Sequence, residues 1–145
     1  MVDTNLPRIL CVDDEEHVLS ALKRQMRSKF NIATASGAKE GLDILKNQGP
    51  FDVVISDFRM PKMDGAEFLK QAKDIDPTAT RILLTGVTNM EEVQSAVNDG
   101  QVYKVLLKPC SADELRAAMS GAIKQHAQQQ STNDQLDELL KSLVP

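Results

Sequence analysis

Five polar residues stand out by type and by position. Asp13 and Asp14 follow the apolar run ILCV, Asp57 follows VVIS, Thr85 closes ILLT, and Lys108 follows VLL with a proline behind it. Each ends a short hydrophobic stretch, so each belongs at the end of a candidate strand. Three carboxylates brought together repel one another, and such a group persists only with protonation, a cation, or both. Oxygen ligands without histidine or thiol favour a hard divalent ion, and Mg2+ is the usual one where phosphate also binds. Lys108 supplies a further positive charge, and a lysine closing an apolar run needs an acidic partner. A carboxylate held beside Mg2+ and a lysine is suited to attack phosphorus and become an aspartyl phosphate. The Thr85 hydroxyl can then hydrogen-bond the new group. Such a reaction is also a switch, because a doubly charged group appears where none was before. Any one of these residues alone is more simply a helix cap. Together, closing different strands, they are hard to obtain from capping.

The elements that must position them are legible from periodicity. Strand candidates are Arg8 to Val12, Asn31 to Ala35, Asp52 to Ser56, Arg81 to Thr85 and Tyr103 to Leu107. Most are apolar without alternation, as parallel strands covered on both faces are. Between them apolar residues recur every three or four positions: Val18, Leu22, Met26; Ala38, Leu42, Leu45; Ala66, Leu69, Ala72; Val93, Ala96, Val97; Leu115, Met119, Ala122. Asp64 with Glu67, Asn89 with Glu92, and Ser111 with Glu114 have the spacing of helix-starting caps. The pattern is (βα)5 over residues 6–124, an α/β domain with a doubly wound parallel sheet. In such open sheets, ligands bind at the carboxyl ends of the strands, where all five polar residues fall.

Composition narrows the rest. The chain has 145 residues, 41% hydrophobic and 26% charged, with a formal net charge of -4. Net acidity, no basic run and four Phe, one Tyr and no Trp argue against direct nucleic-acid binding. No apolar stretch approaches the ~20 residues a membrane span needs, and the amino terminus has no secretory pattern, so the expected setting is cytoplasmic. Cys11 and Cys110 are expected to be buried, reduced thiols. Residues 125–145 read as a Gln-rich linker and a short amphipathic helix carrying Leu136, Leu139, Leu140 and Leu143. That segment is either a frayed extension or a dimerising or effector-docking element.

At this point the chain resembles the receiver domain of two-component response regulators, the CheY-like superfamily. The resemblance rests on ILCVDDEE, VVISDFRMPKMDG, ILLTG and VLLKP, with Pro61 four and Gly65 eight positions after Asp57. It implies a flavodoxin-like fold with strand order 2-1-3-4-5 and Asp57 as phosphoacceptor. It implies Mg2+ held by Asp14, Asp57 and the main-chain carbonyl of Arg59, with Asp13 acting through water. Thr85 is then the switch hydroxyl, and Lys108 the phosphate-pairing lysine before a cis Pro109. The implied donor is a phosphohistidine on a sensor histidine kinase or phosphotransfer protein. The implied output is a downstream effector domain or protein, with a possible homodimer through the fourth helix, fifth strand and fifth helix. Such a module is no turnover enzyme, beyond its own phosphorylation and dephosphorylation. An aspartyl-phosphate phosphohydrolase usually has a second acid close after the nucleophile, and here that place is taken by Arg59. A receiver-like interaction domain that is never phosphorylated need not keep the five polar residues.

Departures from the family pattern carry further expectations. The position three before the lysine, often Tyr or Phe, is Val105, so signalling is expected to rely on the loop after Thr85 and the helix starting near Asn89. Tyr103 could substitute for the ring or simply pack. Arg59 and Val87 flank the path of hydrolytic water and neither orients it, which predicts a long-lived phosphoryl group. His17 and His126 are expected on solvated helix faces.

Overall fold

A computed structural model describes residues 6–86 and 89–143. Its elements are β1 (Arg8–Val12), α1 (Glu16–Met26), β2 (Asn31–Ala35), α2 (Ala38–Gln48), β3 (Val53–Asp57), α3 (Gly65–Ile75), β4 (Thr80–Thr85), α4 (Met90–Gly100), β5 (Lys104–Leu107) and α5 (Ala112–Leu143). The five strands are parallel in the order β2-β1-β3-β4-β5, the flavodoxin-like arrangement the motifs imply. Strand alternation sends Ile9, Cys11, Ile55 and Ile82 to one face, under Leu19 and Met26 of α1 and Leu115 and Met119 of α5. Leu10, Val12, Val54 and Leu83 go to the other, under Leu42 of α2, Phe68 and Leu69 of α3 and Ala96 of α4. With both faces covered, β3 and β4 are buried along their whole length, which is why they read as unbroken apolar runs.

All three caps form. The Asp64 side chain accepts from the Glu67 amide, Asn89 from the Glu91 and Glu92 amides, and Ser111 Oγ from the Glu114 amide at 3.1 Å. β3 runs one residue later than its apolar pattern suggests. Asp57 closes the strand itself, opposite Leu84 of β4, rather than following it. Cys11 is buried, and burial, reinforced by Asp13, pushes its thiol up to about 12. Cys110 is only half-buried, contrary to expectation.

The carboxyl-terminal segment departs from the sequence expectation. The stretch QHAQQQSTNDQ is helical rather than irregular: α5 continues through it to Leu143 as one helix. Glutamine and alanine are good helix formers, and no glycine or proline interrupts residues 122–143, so nothing stops the helix once α5 has started. Residues 127–143 are all exposed.

His126, expected on a solvated face, sits where α5 leaves the sheet, and its side chain is only 17% exposed. Its Nδ1 lies 3.1 Å from Asp52 Oδ1, while the other Asp52 oxygen accepts the Arg8 amide at 2.7 Å. His17 is exposed as expected and lies 3.4 Å from Glu15. Replacing His126 with Ala removes a half-buried contact between α5 and the start of β3. We expect His126→Ala to cost about 1 kcal/mol of folding stability, read as a lower urea midpoint. An unchanged midpoint would leave the contact without energetic weight.

Candidate functional site

The carboxyl edge of the sheet gathers the acids, the hydroxyl and the lysine into one crevice. Asp13 follows β1 and its Oδ1 accepts the Glu15 amide at 3.0 Å, which fixes the turn into α1. Asp57 ends β3 and is 7% exposed, Thr85 ends β4 fully buried, and Asp14 is exposed at the rim. Lys108 leaves β5 and reaches across: its Nζ is 3.0 Å from Asp57 Oδ1 and 3.6 Å from Asp13 Oδ2. The Lys108–Pro109 bond is cis. A cavity of about 560 Å³ opens over Asp14, Asp57 and Lys108, lined also by Glu15, Arg59, Gly86 and Asn89.

The electrostatics follow from the count of charges. Carboxylate oxygens of Asp13, Asp14 and Asp57 lie within 4.8 Å of one another, and the Lys108 ammonium pairs with Asp13 and Asp57. Burial pushes the Asp57 carboxyl above its ordinary value; Lys108 pulls the other way, and Asp13 and Asp14 reinforce the rise. Burial alone would lower the Lys108 ammonium, but the bond to Asp57 and the surrounding acids hold it above its ordinary value. The rise at Lys108 marks a pocket with surplus negative charge, while the rise at Asp57 is first of all the cost of burying a carboxylate. Oxygen donors of this number and closeness suit a hard divalent cation and leave nothing for a soft one. The residues therefore fit a bound metal.

The loop after Asp57 is built around Gly65. Its amide donates to Phe58 O at 2.7 Å, drawing the start of α3 onto the end of β3. A Cβ at this position would lie 2.1 Å from the Asp57 main-chain oxygen, so only glycine allows the approach. Its φ is not positive; closeness alone selects it. Two participants escaped the sequence reading. Asn89, recognised there only as a cap, also lines the crevice. Glu92 of α4 pairs with the Arg59 side chain, Nη2 to Oε2 at 3.6 Å. The Asn89–Glu92 cap spacing marked the start of α4 but gave no sign of a bond to Arg59. Val87, expected to flank the water path, lies outside the described residues. Tyr103 is exposed, and its hydroxyl stands 3.1 Å from where a Cβ on Gly121 of α5 would be, so it faces α5.

Sheet order and crevice together define a flavodoxin-like α/β domain with an acid-and-lysine site at its carboxyl edge. Residues 9–120 match the model of the response regulator receiver domain, and the chain belongs to that family, the signalling module of two-component systems. It is 34% identical over 137 residues to the hydrogenase transcriptional regulatory protein HoxA of Cupriavidus necator, covering 94% of this chain and 28% of that protein. It is 33% identical over 120 residues to the transcriptional regulatory protein GlrR of Escherichia coli, covering 82% of this chain and 27% of the relative. The chain thus spans about a quarter of the length of these curated relatives. Among solved structures, one described as adenylate cyclase from Rhodopirellula baltica superposes with a TM-score of 0.87 at 36% identity, covering 91% of this chain and 98% of that one. The signal receiver domain of an HD domain-containing protein from Pseudomonas fluorescens gives 0.79 at 34% identity, covering 85% and 99%. No helix among the described residues is long and apolar enough to cross a membrane.

Proposed function

We propose that this chain is a phosphorylation-dependent receiver whose Asp57 accepts a phosphoryl group from a phosphohistidine on a sensor kinase or phosphotransfer protein. The observation that carries this is Lys108 Nζ held 3.0 Å from Asp57 Oδ1 inside a ring of carboxylates. An Asp57 carboxylate oxygen attacks phosphorus, the P–N bond breaks, and its electron pair stays on the donor imidazole. Asp14, Asp57 and the Arg59 carbonyl would hold Mg2+, with Asp13 assisting through water. When bound, the ion supplies charge neutralisation for the phosphoryl oxygens. Lys108 pairs with Asp57 before transfer and with a phosphoryl oxygen after it. Thr85, at the adjacent strand end, supplies the hydroxyl that the modified site draws in. The acceptor's burial keeps bulk water from competing for the reactive carboxylate.

Residues 6–124 are then the receiver, in a cytoplasmic setting, and residues 125–145 an extension directed at the output. Exposed Met90, Tyr103 and Leu107 give α4 and the flanks of β5 an apolar surface suited to an effector or a second copy. Arg59, standing where a hydrolase would carry its second acid, favours this reading over a phosphohydrolase.

The test is labelling with acetyl phosphate and Mg2+, followed by intact mass and peptide mapping: one phosphoryl group on Asp57 is expected, and no gain in mass overturns the proposal. A second prediction concerns the metal alone. Because the site holds surplus negative charge, Mg2+ at several times its Kd should raise the thermal midpoint, following the mass-action relation for a ligand that binds only the folded state. Asp14→Asn should abolish that rise; an equal rise in both proteins would mean that the ion binds elsewhere.

A further inference from the structure

The helix α4 is lightly seated. Of its residues only Ala96 and Gly100 are buried. Its carboxyl end is well tied: Arg81 Nε, from the buried strand β4, donates to Gly100 O at 2.7 Å, and Lys73 Nζ donates to Asp99 O at 3.0 Å. At its amino end, the ion pair to another element among the described residues is Arg59 with Glu92, both largely exposed. Arg59 lies two residues from Asp57 and lines both the crevice and an adjoining groove of about 690 Å³ between the β3–α3 loop and α4. One guanidinium therefore stands between the acceptor and the loose end of the helix.

We propose that Arg59 is a charge-switched latch on α4, holding Glu92 while Asp57 is unmodified and turning to the phosphoryl group once Asp57 is phosphorylated. This rests on the phosphoacceptor reading above. A phosphoryl group carries about -1.5 to -2 charge and three acceptor oxygens, against the single charge and two oxygens of Glu92. Guanidinium matches phosphate as well as carboxylate in bidentate geometry, so the re-pairing runs toward the stronger anion. Loss of the pair frees the amino end of α4, while Arg81 keeps the other end as a pivot. The latch would act where the aromatic ring of the family pattern is missing, since Val105 is aliphatic and Tyr103 faces α5.

An exposed pair of this kind shifts an equilibrium on the order of two- to fivefold, and a helix this lightly seated can register such a shift. The experiment is amide hydrogen exchange across α4 on the full chain, with and without beryllofluoride and Mg2+, its binding followed by fluorine NMR. Wild type should exchange about two- to fivefold faster in α4 once beryllofluoride binds. Glu92→Gln and Arg59→Gln should show that faster exchange without it and gain little more when it is added. Glu91→Gln is the matched control, because it removes an acid from the same helical turn, and so the same interaction with the helix dipole, without touching Arg59. If Glu92→Gln exchanges like Glu91→Gln, or Arg59→Gln keeps the full response to beryllofluoride, the latch is refuted while the acceptor stands. If no variant, wild type included, binds beryllofluoride, the phosphoacceptor reading falls and the latch with it.

Discussion

Asp57→Asn will take up no phosphoryl group from acetyl phosphate, and it will melt at a higher temperature than the wild type. The first outcome follows from chemistry, because an amide has no carboxylate oxygen to attack phosphorus. The second follows from the environment of the side chain. Burial, with Asp13 and Asp14 nearby, raises the Asp57 carboxyl above its ordinary value of 3.8 despite Lys108. Between the unfolded and folded values the native state binds more protons than the unfolded chain, so stability falls as pH rises through that window and stays lower above it. Asparagine, close in size and uncharged, removes the cost. Lys108 keeps Asp13 at 3.6 Å as a partner and is not stranded by the change. The thermal midpoint should rise by a few degrees at neutral pH, with the advantage shrinking as pH is lowered toward the ordinary carboxyl range. A variant that gains the same phosphoryl mass would move the acceptor elsewhere. One that melts lower at neutral pH would show that Asp57 is held by favourable pairing rather than at a cost.

Gly65→Ala is expected to damage fold and reaction together. The added methyl group would sit 2.1 Å from the Asp57 carbonyl oxygen and 2.9 Å from both the Asp57 carbonyl carbon and Phe58 Cα. All three are backbone atoms and cannot rotate aside. Relief requires moving the start of α3 away from β3, which breaks the Gly65-to-Phe58 hydrogen bond of 2.7 Å. Overpacking of this kind costs about 2–3 kcal/mol, read as a lower urea midpoint at unchanged slope. The displaced loop includes Arg59, so labelling by acetyl phosphate should slow at least about tenfold, the penalty of a misplaced reacting group being large. Gly37→Ser is the control: nothing lies within 4 Å of a Cβ there, and the residue caps α2. It should leave stability unchanged or slightly raised. Wild-type stability and labelling in Gly65→Ala would mean that the loop relaxes freely.

How much of this was written in the sequence depends on the range over which each feature is encoded. Parallel strands buried on both faces must be apolar throughout, so VVIS and ILLT revealed β3 and β4 directly. The polar residues of the crevice were legible because each ends such a run, and the fold brings strand ends together without further instruction. Side-chain caps act across three residues and were read correctly at Asp64, Asn89 and Ser111. The failures are of the opposite kind. The pairs Arg59–Glu92 and His126–Asp52 join residues far apart in the chain, and nothing local to either partner announces the other. Gln-rich composition misled at residues 125–135, because low hydrophobicity was read as absence of structure. Helix continuation depends on propensity and on the lack of a breaker, and both favoured α5.

That continuous helix has a mechanical consequence. At 1.5 Å per residue, the exposed stretch 127–143 extends about 25 Å beyond the last residues of α5 that touch the sheet. A rigid rod of that length works as a pointer: a tilt of about 10° at its seat sweeps the tip through roughly 4 Å, by the same rise per residue. His126, gripping Asp52 immediately before β3, sits at the fulcrum. The strand that begins beside this fulcrum ends five residues later at Asp57, so a displacement of β3 too small to disturb the core could be read out at Leu143 as a movement the size of a side chain.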